Sequence, residues 1–225
     1  MQTAETIIIS DIHLGTPKSR AEKLTNVLKG WEFNRLIILG DLFDHENLQK
    51  LSTKHWEFLD YIKSISTHTD VIWIEGNHDE QFQKIIPHVM DIKVYSEYAW
   101  EYGGRNYLAL HGHQFDNFLT KNKLLLRWAA IVYGKLQELD RQSFKISRII
   151  QQAATMFFSS SSKLAYNAVA YGFKKGYNHV ICGHTHKPVY TRIKDVHYYN
   201  TGCWTEFPSS LISICSKGTN LHTFH

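Results

Sequence analysis

Five short polar motifs carry the side chains able to do chemistry in this chain, and each ends an apolar run. Asp11-Ile12-His13 follows Ile7-Ile8-Ile9-Ser10, Gly40-Asp41-Leu42-Phe43-Asp44 follows Leu36-Ile37-Ile38-Leu39, and Gly76-Asn77-His78-Asp79 follows Val71-Ile72-Trp73-Ile74-Glu75. His111-Gly112-His113 follows Tyr107-Leu108-Ala109-Leu110, and Gly183-His184-Thr185-His186 follows Val180-Ile181-Cys182. The donors collected are carboxylate, amide and imidazole, a set suited to borderline or hard divalent metals such as Mn, Fe or Zn. Asp11, His13, Asp41, Asn77, His111, His184 and His186 are too many for one tetrahedral ion. Two ions sharing a carboxylate fit the number better. Such a pair, roughly 3.5–4 Å apart, can acidify a water and clamp a phosphoryl group for in-line displacement.

A short β-branched apolar run reads as a buried strand, and polar residues just past such strands are where open α/β sheets place their sites. The i, i+2 spacing of Asp11/His13 and of His184/His186 puts each pair on one side of extended backbone. Asp41 follows a glycine, which permits close backbone approach. Strands over Thr6–Ser10, Arg35–Leu39 and Val71–Glu75 alternate with helices over Arg20–Lys29 and Ser52–Ser64, a pattern of parallel β-α-β units. A short helix over Gln81–Ile86 stops before Pro87. Further strands are expected over Val94–Tyr95, Tyr98–Tyr102 and Asn106–Leu110, with Gly103-Gly104 as a hairpin turn. A helix near Lys163–Lys175 precedes the strand His179–Cys182, and the tail from Val189 to Phe224 alternates short strands with turns. Residues 117–162 differ: they contain no proline and read as two or three helices, basic on one side and apolar on the other. They lie between His111 and His184, so their ends are expected near the metals and the segment is expected to form a lid.

The order D-x-H, G-D-x-x-D, G-N-H-D, H-G-H, G-H-T-H resembles the calcineurin-like metallophosphoesterases, from about Ile7 to Gly202 apart from the insertion. The resemblance implies an α/β fold, a four-layer α-β-β-α sandwich of two mixed sheets flanked by helices, with a helical insertion as lid. One domain would then span residues 1–225, with residues 117–162 inserted in it. It implies two divalent metal ions, Mn first and Fe or Zn as alternatives. Asp11, His13 and His186 would hold one, Asn77, His111 and His184 the other, and Asp41 would bridge them. His78 would be catalytic, protonating the leaving group or stabilising charge on the phosphoryl oxygens. Asp79 would orient His78, as carboxylates commonly fix imidazoles, and Asp44 would stand behind the ligands. His45, His55, His68, His88, His113, His179 and His197 are read as ordinary histidines.

The lid resembles that of the UDP-2,3-diacylglucosamine diphosphatases, peripheral enzymes of lipid A synthesis that cleave a diphosphate and hold acyl chains under a helical cap. That group has Arg where this chain has His78. Its Trp/Gly/Asp-rich continuation of the second motif is not matched by Asp44-His45-Glu46-Asn47. The expected function is dinuclear-metal-dependent phosphoester hydrolysis, with the diphosphate of a UDP-sugar lipid such as UDP-2,3-diacylglucosamine as preferred target. A nuclease or nucleotide phosphodiesterase is the alternative, although no basic groove interleaved with aromatic residues is evident. A non-catalytic scaffold of the same fold would have no use for seven filled ligand positions and His78.

The chain has 225 residues, 43% of them apolar, which suits one sizeable domain. Its net charge of +4 is unevenly spread: residues 117–163 hold eight basic side chains against two acidic ones, while the rest is slightly acidic. Lys121, Lys123 and Arg127 are the lid's candidate phosphate contacts, and the basic, apolar lid could also meet a membrane surface. The start, Met1-Gln2-Thr3-Ala4-Glu5, lacks a signal-like basic region, and no run approaches the roughly 18 apolar residues of a spanning helix. Three widely spaced cysteines do not suggest a disulfide framework. A cytoplasmic protein reaching the inner face of a membrane peripherally is expected. Cys182 and Cys215 read as buried small hydrophobes. Cys203, beside Trp204, reads first as packing and second as a neighbour of the site.

Overall fold

The computed structural model describes residues 1–45, 47–82, 85, 89–90, 92–115 and 160–225. The expected lid with Lys121, Lys123 and Arg127, and half of the short helix expected over Gln81–Ile86, therefore lie outside the described residues, residues 160–162 of the lid excepted.

Alternation along the first three strands decides the layering. In β1 (Gln2–Ile9), β2 (Trp31–Leu39) and β3 (Asp70–Ile74), every second side chain faces the same way. Ile7, Ile9, Leu36, Ile38, Val71 and Trp73 pack against helices α1 (Ala21–Lys29) and α2 (Thr53–Ile65). Ile8, Ile37, Leu39, Ile72 and Ile74 point the other way, into a second core shared with Tyr107, Ala109, Ile181 and Tyr199. The helices supply matching stripes: Ala21, Leu24 and Leu28 are buried on α1, and Phe58, Leu59, Ile62 and Ile65 on α2. Ser52 and His55 form a reciprocal cap at the start of α2.

The first sheet has six strands in the order β11-β10-β1-β2-β3-β4, where β4 is Lys93–Tyr95, β10 Ser209–Cys215 and β11 Gly218–Phe224. The contacts β1-β2, β2-β3 and β3-β4 are parallel, and β10 returns antiparallel to β1. The second sheet has five strands in the order β5-β6-β7-β9-β8. They are β5 (Glu97–Tyr102), β6 (Arg105–Leu110), β7 (His179–Cys182), β8 (Val189–Ile193) and β9 (Val196–Asn200). β6, β7 and β9 run parallel, while β5 and β8 are antiparallel edges. Its outer face, with Leu108, Leu110, Val180, Cys182 and Tyr198, is covered by Leu164, Ala165, Ala168 and Val169 of helix α3 (Ser160–Lys174).

The result is the expected four-layer α-β-β-α sandwich of two mixed sheets. The expected strands, and the helices expected over Arg20–Lys29, Ser52–Ser64 and Lys163–Lys175, appear within a few residues of their predicted limits, and Gly103-Gly104 turns β5 into β6; of the short helix expected over Gln81–Ile86, the described residues Gln81, Phe82 and Ile85 lie in turns. Cys182 is buried as expected, but Cys215 is only half-buried, because it closes β10 where the chain turns into the edge strand β11. Among the described residues no helix is long and apolar enough to cross a membrane.

Candidate active site at the strand tips

The ladder between β1 and β2 continues past both strands: the N–H groups of Asp11, Ile12, His13 and Leu14 donate to the carbonyls of Gly40, Asp41, Asp41 and Leu42. This lays the first two motifs side by side. The second sheet joins them through Asp11, whose carbonyl accepts the Trp204 N–H at 3.0 Å and whose Oδ2 accepts the His184 N–H at 2.9 Å. Gly76 fits because a Cβ there would meet Asp41 Oδ1 at 2.2 Å, and Gly40 because a Cβ would meet His111 Nδ1 at 2.3 Å. Among the described residues six non-glycine positions have positive φ, and five of them are Asp11, His13, Asp41, His184 and His186. Such conformations cost roughly 1–3 kcal/mol each and persist where surrounding contacts over-determine them.

The side chains form two adjoining groups, Asp11/His13/His186 and Asp41/His111/His184. In the first, Asp11 Oδ1 lies 3.3 Å from His186 Nε2 and 4.0 Å from His13 Nε2. The two imidazole nitrogens are 3.3 Å apart. Asp41 Oδ2 lies 3.8 Å from His13 Nε2 and 3.4 Å from His111 Nε2, between one imidazole of each group. The rings of His111 and His184 are 5.1 Å apart. Asp11 and Asp41 divide their oxygens alike. One accepts a backbone N–H from a distant motif, His184 for Asp11 and His78 for Asp41, and the other faces imidazoles. Asp11 Oδ1 and His111 Nε2 are buried without a hydrogen-bond partner, an arrangement that is costly in a protein interior and that a cation between the donors would relieve. His111 Nδ1 is held at 2.9 Å by the Leu39 carbonyl, which aims Nε2 inward.

Asp11 and Asp41 set the charge of the cluster. Burial alone would raise the Asp41 carboxyl; the imidazole of His111, the His78 N–H and His13 outweigh it and hold the group well below the usual carboxylate range. Burial alone would lower His111, but Asp41 and Asp11 push it up to about 9. Asp11 and then Cys203 push His186 up to about 11. His13 is lowered by burial despite Asp41 and Asp11. Carboxylates that hold protons on His111 and His186 would also favour divalent cations.

A family model described as calcineurin-like phosphoesterase matches residues 5–188, a span containing all five motifs. The chain belongs to the calcineurin-like phosphoesterase family. This phosphoesterase is a metal-binding hydrolase that cleaves phosphoester bonds. It is 26% identical over 248 residues to the UDP-2,3-diacylglucosamine hydrolase of Shewanella baltica (strain OS185), across 97% of this chain and 96% of that protein. The corresponding enzyme of Shewanella loihica is 25% identical with the same coverage. Among solved structures, a hypothetical protein from Pyrococcus horikoshii OT3 shares the fold at a TM-score of 0.56 and 12% identity, across 100% of this chain and 88% of that one.

Within the phosphoesterase, Asn77 lies exposed in the turn after β3, next to the Gly76 backbone that packs on Asp41. His78 is also exposed, with Nδ1 2.8 Å from the carbonyl of Asp44. Asp79 is fully buried; in place of the expected contact with His78, its carboxylate accepts the N–H groups of Gly76 at 3.0 Å and Phe43 at 3.1 Å. Burial and the nearby Asp41 charge raise it to about 6. Asp79 thus ties the third motif to the second, and Asp44 supports both His78 and, at 3.3 Å, His13 Nδ1.

A sixth strand tip went unread in the sequence. Asn200-Thr201-Gly202 ends β9, and the Asn200 amide donates to the Gly183 carbonyl at 2.6 Å. Ser10, bonded to Thr201, donates to Asp11. The rule that found the other five tips, polar residues after an apolar strand, applies here too. Cys203 is buried beside His186, and Glu206 Oε1 lies 3.7 Å from His186 Nδ1.

Proposed function

We propose that this phosphoesterase works with two divalent ions, Mn first, on the diphosphate of a nucleotide-linked lipid of the UDP-2,3-diacylglucosamine class. The observation that carries the dinuclear reading is Asp41 Oδ2, set between His13 Nε2 and His111 Nε2. Asp11, His13 and His186 are the donors for one ion, and Asn77, His111 and His184 for the other. Bound there, the ions would supply Lewis-acid charge for the phosphoryl oxygens and an acidified water for in-line displacement. The protein's own contribution is positioning. Asp11 and Asp41 are fixed through backbone N–H groups, and His111 through Leu39. His78 is the general acid. As imidazolium its Nδ1–H donates to the Asp44 carbonyl, which leaves Nε2–H for the leaving group.

The substrate is supported by the Shewanella relatives, whose names specify UDP-2,3-diacylglucosamine and whose lengths match this chain almost end to end. A cytoplasmic location with peripheral contact at the membrane goes with such a substrate. Purified protein is expected to hydrolyse bis-p-nitrophenyl phosphate and UDP-2,3-diacylglucosamine in a chelator-sensitive way. Asp41→Ala and His111→Ala should each reduce both rates at least about 10³-fold and lose metal; full activity in either variant would rule out this site. Steep loss of turnover with salt would instead point to a nucleic-acid backbone.

A further inference from the structure

Beside the Asp/His cluster, the loop leaving β1, the 3-10 turn Leu48–Lys50 and the first turns of α1 and α2 enclose a cleft of about 550 Å³. Its wall carries four cations, Arg20, Lys23, Lys50 and Lys54, against one carboxylate, Glu22. Not all of that charge is spent. Lys54 pairs with Glu22 and Glu57 at 3.1 Å each, and Lys23 donates to a main-chain oxygen of His225. Arg20 and Lys50, by contrast, make no ion pair among the described residues. Arg20 Nη1 donates to Ser209 Oγ at 2.6 Å, and its guanidinium lies 3.9 Å over the Phe207 ring. Lys50 Nζ is 2.8 Å from His45 Nε2.

The cleft is wired to the cluster by short contacts. His45 Nε2 lies 3.6 Å from Asp44 Oδ2, and Asp44 Oδ1 lies 3.3 Å from His13 Nδ1. From Lys50 to a proposed metal ligand there are thus only two intervening side chains. Guanidinium and ammonium groups without acid partners are suited to phosphate oxygens.

We infer that this cleft is a subsite for a second phosphate of the substrate, the one that leaves unbroken, so that the phosphoesterase selects compounds bearing two linked phosphates over those bearing one. The inference rests on reading the strand-tip cluster as the hydrolytic site. Lys50 and Arg20 are the contacts expected to matter most.

The test compares Lys50→Ala and Arg20→Gln with the unmodified protein on two soluble substrates, a UDP-sugar and bis-p-nitrophenyl phosphate, which has a single phosphorus. Each variant is expected to lose at least about ten-fold more kcat/KM on the UDP-sugar than on the single-phosphorus ester, mainly through KM. Equal losses on the two substrates, or an unmodified protein that turns over only the single-phosphorus ester, overturn the subsite. Binding of inorganic diphosphate to the protein as purified, followed by calorimetry, should weaken several-fold in both variants; unchanged affinity also overturns it. Should the unmodified protein hydrolyse neither substrate, the reading of the cluster fails, and the calorimetric comparison still decides the cleft.

Discussion

Asp79 and His78 are neighbours in sequence and do different work. The Asp79 carboxylate is buried and accepts three backbone N–H groups, from Leu42, Phe43 and Gly76. Asp79→Ala should therefore strand three backbone donors and cost about 2–3 kcal/mol in urea unfolding. A variant that unfolds like the parent but turns over slowly would restore the expected role of orienting His78. His78 is exposed; its backbone N–H lies 3.0 Å from Asp41 Oδ1, and its ring stands edge-on to His13 at 5.1 Å with Asp44 beside both. Replacing it by Ala keeps that N–H, so metal content should be unchanged while kcat falls about 10²–10⁴-fold. Loss of metal on elemental analysis would place His78 among the ligands instead.

Strands bring the proposed ligands to one end, and the tips then bend them inward. Five of the proposed ligand positions adopt left-handed backbone, which β-branched residues would resist and which Asp and His tolerate better. The opposite end of the second sheet carries a ring ladder in place of such a cluster among the described residues. Trp100, Tyr107, His179 and His197 lie opposite one another on β5, β6, β7 and β9. The two imidazoles stack at 4.7 Å and 7°. Burial first, then His197 and Arg105, lower His179 to about 4. The fold therefore favours neutral His179. Its stabilising contribution is complete above the unfolded value near 6.5 and is lost as pH falls toward 4, by an amount on the order of 3 kcal/mol. His179→Phe should flatten the pH dependence of the urea midpoint across that window relative to the unmodified protein. Parallel slopes would show that His179 does not carry it.

The two sheets each supply an incomplete site. Asp11, His13 and Asp41 come from the first, and His111, His184 and His186 from the second, so bound metal would cross-link the halves of the sandwich. A ligand that binds only the folded state stabilises it by mass action, by about 2.7 kcal/mol per site at a hundred-fold excess over Kd. Added Mn should thus raise Tm, chelator should lower it, and Asp41→Ala should abolish most of the difference. An equal metal-induced shift in that variant would mean that the ions bind elsewhere. The cleft beside the cluster would also be assembled only in the folded molecule, because Arg20 reaches it from α1 and Lys50 from the turn before α2.

Local pattern was enough to read the strands, helices α1, α2 and α3, and five of the tips. A short β-branched run followed by Gly, Asp, Asn or His is recognisable without knowing what packs beside it. The same pattern at Asn200-Thr201-Gly202 was equally local, but its polar residues offer hydrogen bonds rather than metal ligands. Only the tertiary structure decided the directions of the side chains. Asp41 Oδ2 stands between His13 and His111, Asp79 turns to the backbone rather than to His78, and Cys203 lies against His186. The first depends on how one sheet is set over the other, and the second and third on how neighbouring tips of one sheet turn, relations between residues from separate motifs that no local spacing encodes.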